Sequence, residues 1–419
     1  VSEIFRQGLE GKDERSAGET LIELYDSHGL PPEVVKETAE GEGFRVKVPE
    51  NFYAEVAERH VQAPPPREVE KIEGLEALVS DLPETRMLYY EDAYLREFEA
   101  KVLRVLDSKY VVLEKTAFYP EGGGQPADHG YLKFDKTQSE VVDVQKIGNV
   151  IVHVLKGSAP KEGEKVIGVI DWERRNSLMK HHTGTHVIMG AARRVLGEHV
   201  WQSGAQKDVG RTRLDISHFR RLTLEEIHEI ERLANQAIAR NIPVETAWMP
   251  REEAEKRYGF RLYQGGVVPG REIRVVKSGD WEVEACGGTH LKNTGEIGFI
   301  KIVHTERIQD GVERIIFSAG LPALKAVQEN EKSLWKLSEL LNAPMEKLEK
   351  TADRLVKEWK ESRREKKRLL EEIAKREAAR PGARVDERKT FPINGIKYLT
   401  QRLEQVDVDR MIKTASELV

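Results

Sequence analysis

The 419-residue chain has a single cysteine, Cys286, which lies in the stretch EVEACGGTHLKN with two glycines after it and His290 four positions on. Two adjacent glycines cost about 1 kcal/mol each inside a helix, so this stretch reads as a turn leaving the strand WEVEA. Such a turn folds a thiolate and an imidazole toward one point. The complement is HHTGTH, where His182 and His186 sit four residues apart in a helical pattern. That spacing puts both imidazoles on one helix face, with Cβ atoms roughly 6 Å apart. Soft thiolate with imidazole suits zinc, so His182, His186, Cys286 and His290 are candidate ligands of one Zn2+. Four protein ligands close a tetrahedral site, as structural zinc does, whereas catalytic zinc keeps a position for water; the spacing leaves both open. Metalloprotease chemistry is disfavoured, because Thr183 stands where that motif places a glutamate base after the first histidine.

A second group of residues surrounds three consecutive glycines in KTAFYPEGGGQPADHGYL. Gly122, Gly123 and Gly124 permit positive φ, and Thr116, Gln125 and Asp128 offer hydrogen-bonding groups nearby. Two readings stand side by side: an ordinary hairpin, or a backbone against which a ligand lies. No nucleotide-binding glycine pattern with its lysine occurs, so ATP use by this chain is not expected. Residues 171–221 carry ten Lys and Arg against five Asp and Glu, within a chain of net charge −5. Arg174, Arg175, Lys180, Arg193 and Arg194 belong to this excess and lie around the histidine pair. They read either as phosphate contacts or as a solvated helix face.

The elements that position these groups follow from periodicity. Residues 1–62 read as helices and turns, and Pro64, Pro65 and Pro66 mark a linker over 63–85. Short β-rich runs over 86–175, such as YVVLEK, EVVDVQKI, VIVHVLKG and KVIGVIDW, predict a small antiparallel barrel. Over 176–320 two amphipathic helical patterns alternate with strands REIRVVK, WEVEA and GFIKIVHTERI, predicting an α+β core that carries the metal site. Within 321–380, Leu348, Ala352, Leu355, Trp359, Leu369 and Ile373 repeat at a 4,3 spacing that Ser362 and Lys366 interrupt. This is a long charged helix, either paired with a second copy or solvated. Residues 381–419 begin a further strand and helix that reads as truncated. The fold class is thus multidomain α+β.

The totals bound the functional classes. A lone cysteine excludes an intramolecular disulfide and points to a reducing, cytoplasmic compartment. No apolar run is long enough for a membrane span, and the charged N-terminus does not resemble a signal peptide. The net charge argues against general nucleic-acid affinity but permits a local basic patch. The chain opens on Val1, as expected of a piece of a longer protein.

Three motifs in order, TAFYPEGGGQPADHG, DWERRNSLMKHHTGTH and DWEVEACGGTHLKNTGEIG, resemble the editing domain of alanyl-tRNA synthetase and its free-standing trans-editing relatives. The resemblance covers about 86–318. LIELYDSHGLPPEVV is similar to the end of that family's tRNA-recognition region, and the charged helix resembles the start of its dimerisation domain. The family's adenylate-forming domain has no expected counterpart here. The resemblance implies hydrolysis of the ester joining serine or glycine to alanine tRNA, either within the synthetase or as a stand-alone deacylase acting in trans. From another class, a tRNA-binding and dimerisation module with structural zinc remains open. The resemblance further implies that Thr116 reads the seryl hydroxyl and that Gln125 and the glycine backbone line the amino-acid pocket. It also matches His182, His186, Cys286 and His290 to the family's zinc ligands.

Overall fold

The computed structural model describes residues 75–263 and 270–378 throughout, with scattered positions outside them. Pro64, Pro65 and Pro66, and most of 1–62 and 381–419, lie outside the described residues. The chain divides into two units, Val1–Gln328 and Glu329–Val419.

In the first unit, six strands close a barrel in the order β2 (Glu97–Leu106), β3 (Tyr110–Leu113), β7 (Val150–Lys156), β6 (Thr137–Ile147), β5 (Gly130–Phe134) and β8 (Lys165–Ile170). Every neighbouring pair is antiparallel. The strand β5 was not legible as a strand, because it follows the glycine loop directly. Alternation explains the long apolar runs of β3 and β7. Val111, Leu113, Ile151 and Leu155 fill the barrel, while Val112, Val150 and Val152 face outward onto Leu75 and Val79 of helix α1 (Leu75–Val79). That helix lies in the segment expected to be a linker; its two apolar residues cover valines that would otherwise meet water. Before the barrel, β1 (Arg86–Met87) pairs in parallel with β4 (Lys115–Thr116), and helix α2 (Leu88–Glu91) follows β1.

The α+β core is built on helix α3 (Trp172–Leu196), which Asp171 caps by accepting from the Arg174 backbone N–H at 3.1 Å. From Leu178 to Arg193 nearly every residue is buried, so α3 is wrapped on all sides. Four strands, in the order β14 (Ile300–Gln309), β15 (Val312–Ala319), β10 (Thr212–Ser217) and β9 (Gln202–Lys207), form one sheet. Helix α4 (Leu224–Ala239) begins with a reciprocal Thr223–Glu226 capping box. Met189, Leu214, Ile230, Ile300 and Phe317 share one core that joins both helices to this sheet. A smaller sheet holds β11 (Val244–Pro250), β12 (Glu272–Ser278) and β13 (Glu282–Ala285), with helix α5 (Arg251–Tyr258) after β11. A mixed α+β architecture with a closed six-stranded barrel is therefore what the chain forms.

Beyond β15, helix α6 (Leu321–Leu341) leads on, and α7 spans Leu348–Ala378. Along α7, Leu355, Trp359, Leu369 and Ile373 are all exposed. The hairpin β16 (Thr390–Ile393) and β17 (Ile396–Leu399) is antiparallel. No described helix is long and apolar enough to cross a membrane.

Candidate metal centre

Helix α3 presents His182 and His186 on successive turns, and the turn after β13 brings Cys286 and His290 to meet them. One ligand atom from each of the four lies within 4.8 Å of the others. Cys286 Sγ is 3.2 Å from His182 Nε2 and 3.4 Å from His290 Nε2. The turn approaches α3 so closely because of Gly288. A Cβ there would stand 2.0 Å from His182 Cε1, a separation that non-bonded atoms do not reach. Arg274 fixes the same turn by donating from Nη1 to the carbonyls of Cys286 and Gly288 at 2.9 and 2.8 Å.

Each imidazole is also held at its other nitrogen. His182 Nδ1 donates to Gln125 Oε1 at 2.7 Å, His290 Nδ1 lies 3.3 Å from Thr183 Oγ1, and His186 Nδ1 is 2.9 Å from Glu284 Oε2. With Nδ1 engaged, each Nε2 faces the common centre, the arrangement in which outer partners orient histidine ligands. His186 Nε2 is buried and has no hydrogen-bond partner in the protein. A buried orphan nitrogen facing a sulfur and two more nitrogens fits a thiophilic divalent cation better than any protein donor. Electrostatics agree. Burial and the nearby cations hold His182 and His290 well below the ordinary histidine range, so both are neutral and able to ligate. Burial also works to lower His186, but Glu284 and Cys286 overcome it and raise it to about 10, so this histidine must release its Nε2 proton to ligate a cation. Burial works to raise the Cys286 thiol, yet the neighbouring His186 and Lys207 bring it below its ordinary value, toward the thiolate that binds metal.

The remaining sequence-derived residues are distributed differently. The glycine loop is a tight hairpin: Gly122 and Gln125 exchange both backbone hydrogen bonds at 3.0 Å, with φ of 59° at Gly123 and 71° at Gly124. Its close approach is to the protein itself. A Cβ on Gly124 would stand 2.2 Å from the Ala205 carbonyl oxygen, and Lys207 donates to Gly123 O from Nζ at 2.9 Å and to Gly124 O from its backbone at 2.7 Å. Gln125 is wholly buried; it accepts from His182, accepts from Thr289 N and donates to Thr289 Oγ1. It thus holds His182 from behind and ties that histidine to the cysteine turn through Thr289. Thr116 Oγ1 is buried, bonded to His153 Nε2 at 2.8 Å and accepting from Phe118 N at 3.1 Å, which leaves it one lone pair. Because His153 Nδ1 donates to Val111 O, the Thr116 hydroxyl is the donor to Nε2.

Three further residues are buried in ion pairs. Asp128 and Arg175 are both wholly buried and form an ion pair, with Arg175 also donating to the carbonyls of Ala93 and Ala117. Both side chains are committed to these contacts inside the protein. Arg193 is likewise buried, bonded to Glu282 at 2.6 Å and to Val200 O at 3.0 Å. Sequence charge cannot distinguish such a residue from a surface one. Arg194 lies 4.0 Å over the Trp281 ring and donates to the Gly190 and Trp281 carbonyls. Lys180 is half-buried, and Arg174 lines an open cavity of about 440 Å³ together with Lys207, Arg211, Arg213 and Arg314. Glu284, Thr183 and Lys207 were missed. The alternation in WEVEACGG carried the signal for Glu284, which points inward two residues before the cysteine.

Two families match the chain: the tRNA synthetases class II (A) over residues 2–174, and the threonyl and alanyl tRNA synthetase second additional domain over 273–316, which contains Cys286 and His290. The first match shows that residues 2–174 share a model with the synthetase family itself, against the expectation that its adenylate-forming domain has no counterpart here. The alanine–tRNA ligase of Pyrococcus abyssi is 56% identical over 85% of this chain and 39% of its own length. That of Pyrobaculum aerophilum is 53% identical over 88% and 41%, and that of Methanopyrus kandleri 50% identical over 99% and 45%. The chain thus spans about two fifths of the length of these relatives. Matched at 50% identity over 99% of its length, with Cys286 and His290 inside the shared second additional domain, the chain belongs to the alanyl-tRNA synthetase family.

Proposed function

We propose that this portion of the synthetase is an editing hydrolase that removes serine or glycine wrongly esterified to alanine tRNA, with a zinc ion held by His182, His186, Cys286 and His290. The observation that carries the reading is the convergence of those four ligand atoms within 4.8 Å, each histidine oriented from behind, in a chain matched along 99% of its length by an alanine–tRNA ligase. A synthetic site sized for alanine cannot exclude glycine on size, nor strongly reject a side chain that only adds a hydroxyl, so a second, hydrolytic site is chemically required. Bound zinc would supply a fixed positive charge for the terminal ribose or its water. The chain's own residues keep that charge in place. Gln125, Glu284 and Thr183 set the imidazole orientations, while Arg274 and Gly288 hold the cysteine turn against α3. Thr116 would read the substrate through its one free lone pair, accepting from a seryl hydroxyl that alanine lacks. Arg174, beside Arg211 and Arg213, would meet phosphates of the acceptor end. The tRNA is that for alanine, the setting is cytoplasmic, and the exposed apolar residues of α7 would pair with a second copy.

Four protein donors fill a tetrahedral shell, which favours a second reading: a structural ion in a tRNA-binding module. Incubation with seryl-, glycyl- and alanyl-tRNA separates the two. The hydrolase loses the first two esters and spares the third; binding with all three esters intact removes the enzymatic reading.

A further inference from the structure

A cavity of about 560 Å³ lies among Thr85, Met87, Tyr90, Lys146 and Trp248, so the barrel side and strand β11 both contribute to it. Trp248 is 55% exposed and stands edge to face with Tyr90, their ring centroids 5.5 Å apart at 88°. Tyr90 in turn adjoins the turn that carries Cys286: its hydroxyl would lie 3.4 Å from a Cβ on Gly287, and Arg274, which holds that turn, lies 5.2 Å over its ring. The cavity therefore borders the metal centre through one tyrosine. Arg86 is paired with Glu91 at 2.7 Å, whereas Lys146 has no ion pair among the described residues. A half-exposed indole, a perpendicular phenol and a free ammonium match a flat base followed by a phosphate.

We infer that Trp248 and Tyr90 form the stacking site for the 3′-terminal nucleobase of the RNA, with Lys146 receiving a neighbouring phosphate. The inference rests on the proposed function for the identity of the RNA. The base stacks on the Trp248 face that solvent now meets, while Tyr90 fixes the indole plane. The ribose then leads past Tyr90 toward Cys286 and His290. Stacking of this kind is sequence-tolerant, so it selects the presence of a terminal base and leaves discrimination of the amino acid to other residues.

The test uses uncharged RNA hairpins that reproduce an acceptor end, finished by a normal or an abasic 3′ nucleotide, with Kd read by fluorescence anisotropy. The wild-type chain should bind the abasic RNA roughly tenfold more weakly. Trp248→Ala should bind the normal RNA roughly tenfold more weakly and be indifferent to loss of the base, with metal content unchanged, and Trp248→Phe should restore most of the difference. Lys146→Ala should weaken both RNAs equally and reduce the salt slope by about one. A Trp248→Ala chain that still separates the two RNAs by the wild-type factor overturns the inference, and so does hydrolysis of seryl-tRNA with KM unaltered by that substitution. Absence of any RNA binding by the wild type overturns the proposed function along with it.

Discussion

Replacing Gly288 by alanine places a methyl group 2.0 Å from His182 Cε1 and 2.3 Å from His182 Nδ1. Ordinary contact begins at about 3.5 Å, so one partner must retreat by well over an ångström. His182 has little room to do so, because Gln125 Oε1 holds Nδ1 at 2.7 Å, and Arg274 pins the turn on both sides of the substituted residue. A zinc site tolerates only about 0.2 Å of error in its ligand distances. Loss of an outer partner alone weakens metal affinity 10- to 100-fold, and displacing a ligand with its partner should exceed that, reaching at least about 100-fold or 2.7 kcal/mol. The neighbouring Gly287 supplies the control. It is exposed, and a Cβ there meets only the Tyr90 hydroxyl at 3.4 Å, so Gly287→Ala should bind metal within about threefold of wild type. Competition against a chromophoric chelator measures both. Equal affinities for the two variants would refute the packing argument.

Gln125→Leu removes the oxygen behind His182 and should weaken zinc 10- to 100-fold in the same chelator assay while leaving the barrel folded by circular dichroism. Arg175→Ala strands the buried Asp128 carboxylate and should destabilise the chain by about 3–5 kcal/mol in urea, without changing the salt dependence of RNA binding. Thr116→Val should slow release of serine from tRNA at least tenfold more than it slows release of glycine, as followed by ester loss; equal slowing would count against its reading of the hydroxyl. Burial lowers His153 from 6.5 to about 4. The unfolded chain therefore gains a proton first as pH falls, and stability should drop between pH 6.5 and 4 by up to about 3 kcal/mol, a slope that urea titrations of His153→Gln should show reduced.

The grouping of His182, His186, Cys286 and His290 was legible because its signals are local. An i,i+4 histidine pair and a cysteine separated by glycines from a histidine each constrain a few residues of backbone, and the two pieces need only meet. Five of the six barrel strands were visible for the same reason, since alternation is a local property. What lay hidden depends on tertiary packing. The positive segment 171–221 splits into buried arginines, Arg175 and Arg193, and residues facing an open cavity, Arg174 at the start of α3 and Arg211 just before β10, a division set by tertiary packing. Gln125 stood beside three glycines that suggested a ligand, whereas its partner is a histidine that supports the site. The glycines meet Ala205 and Lys207, residues remote in sequence, and no spacing rule within the loop names them.

The convergence of the ligand set is most directly tested by X-ray absorption at the zinc edge of the metal-loaded chain. One ion per chain is expected, with three nitrogen neighbours at about 2.0–2.1 Å and one sulfur at about 2.3 Å, the sulfur shell vanishing in Cys286→Ala. A shell of oxygen alone, or a sulfur-free spectrum from the unsubstituted chain, would contradict it.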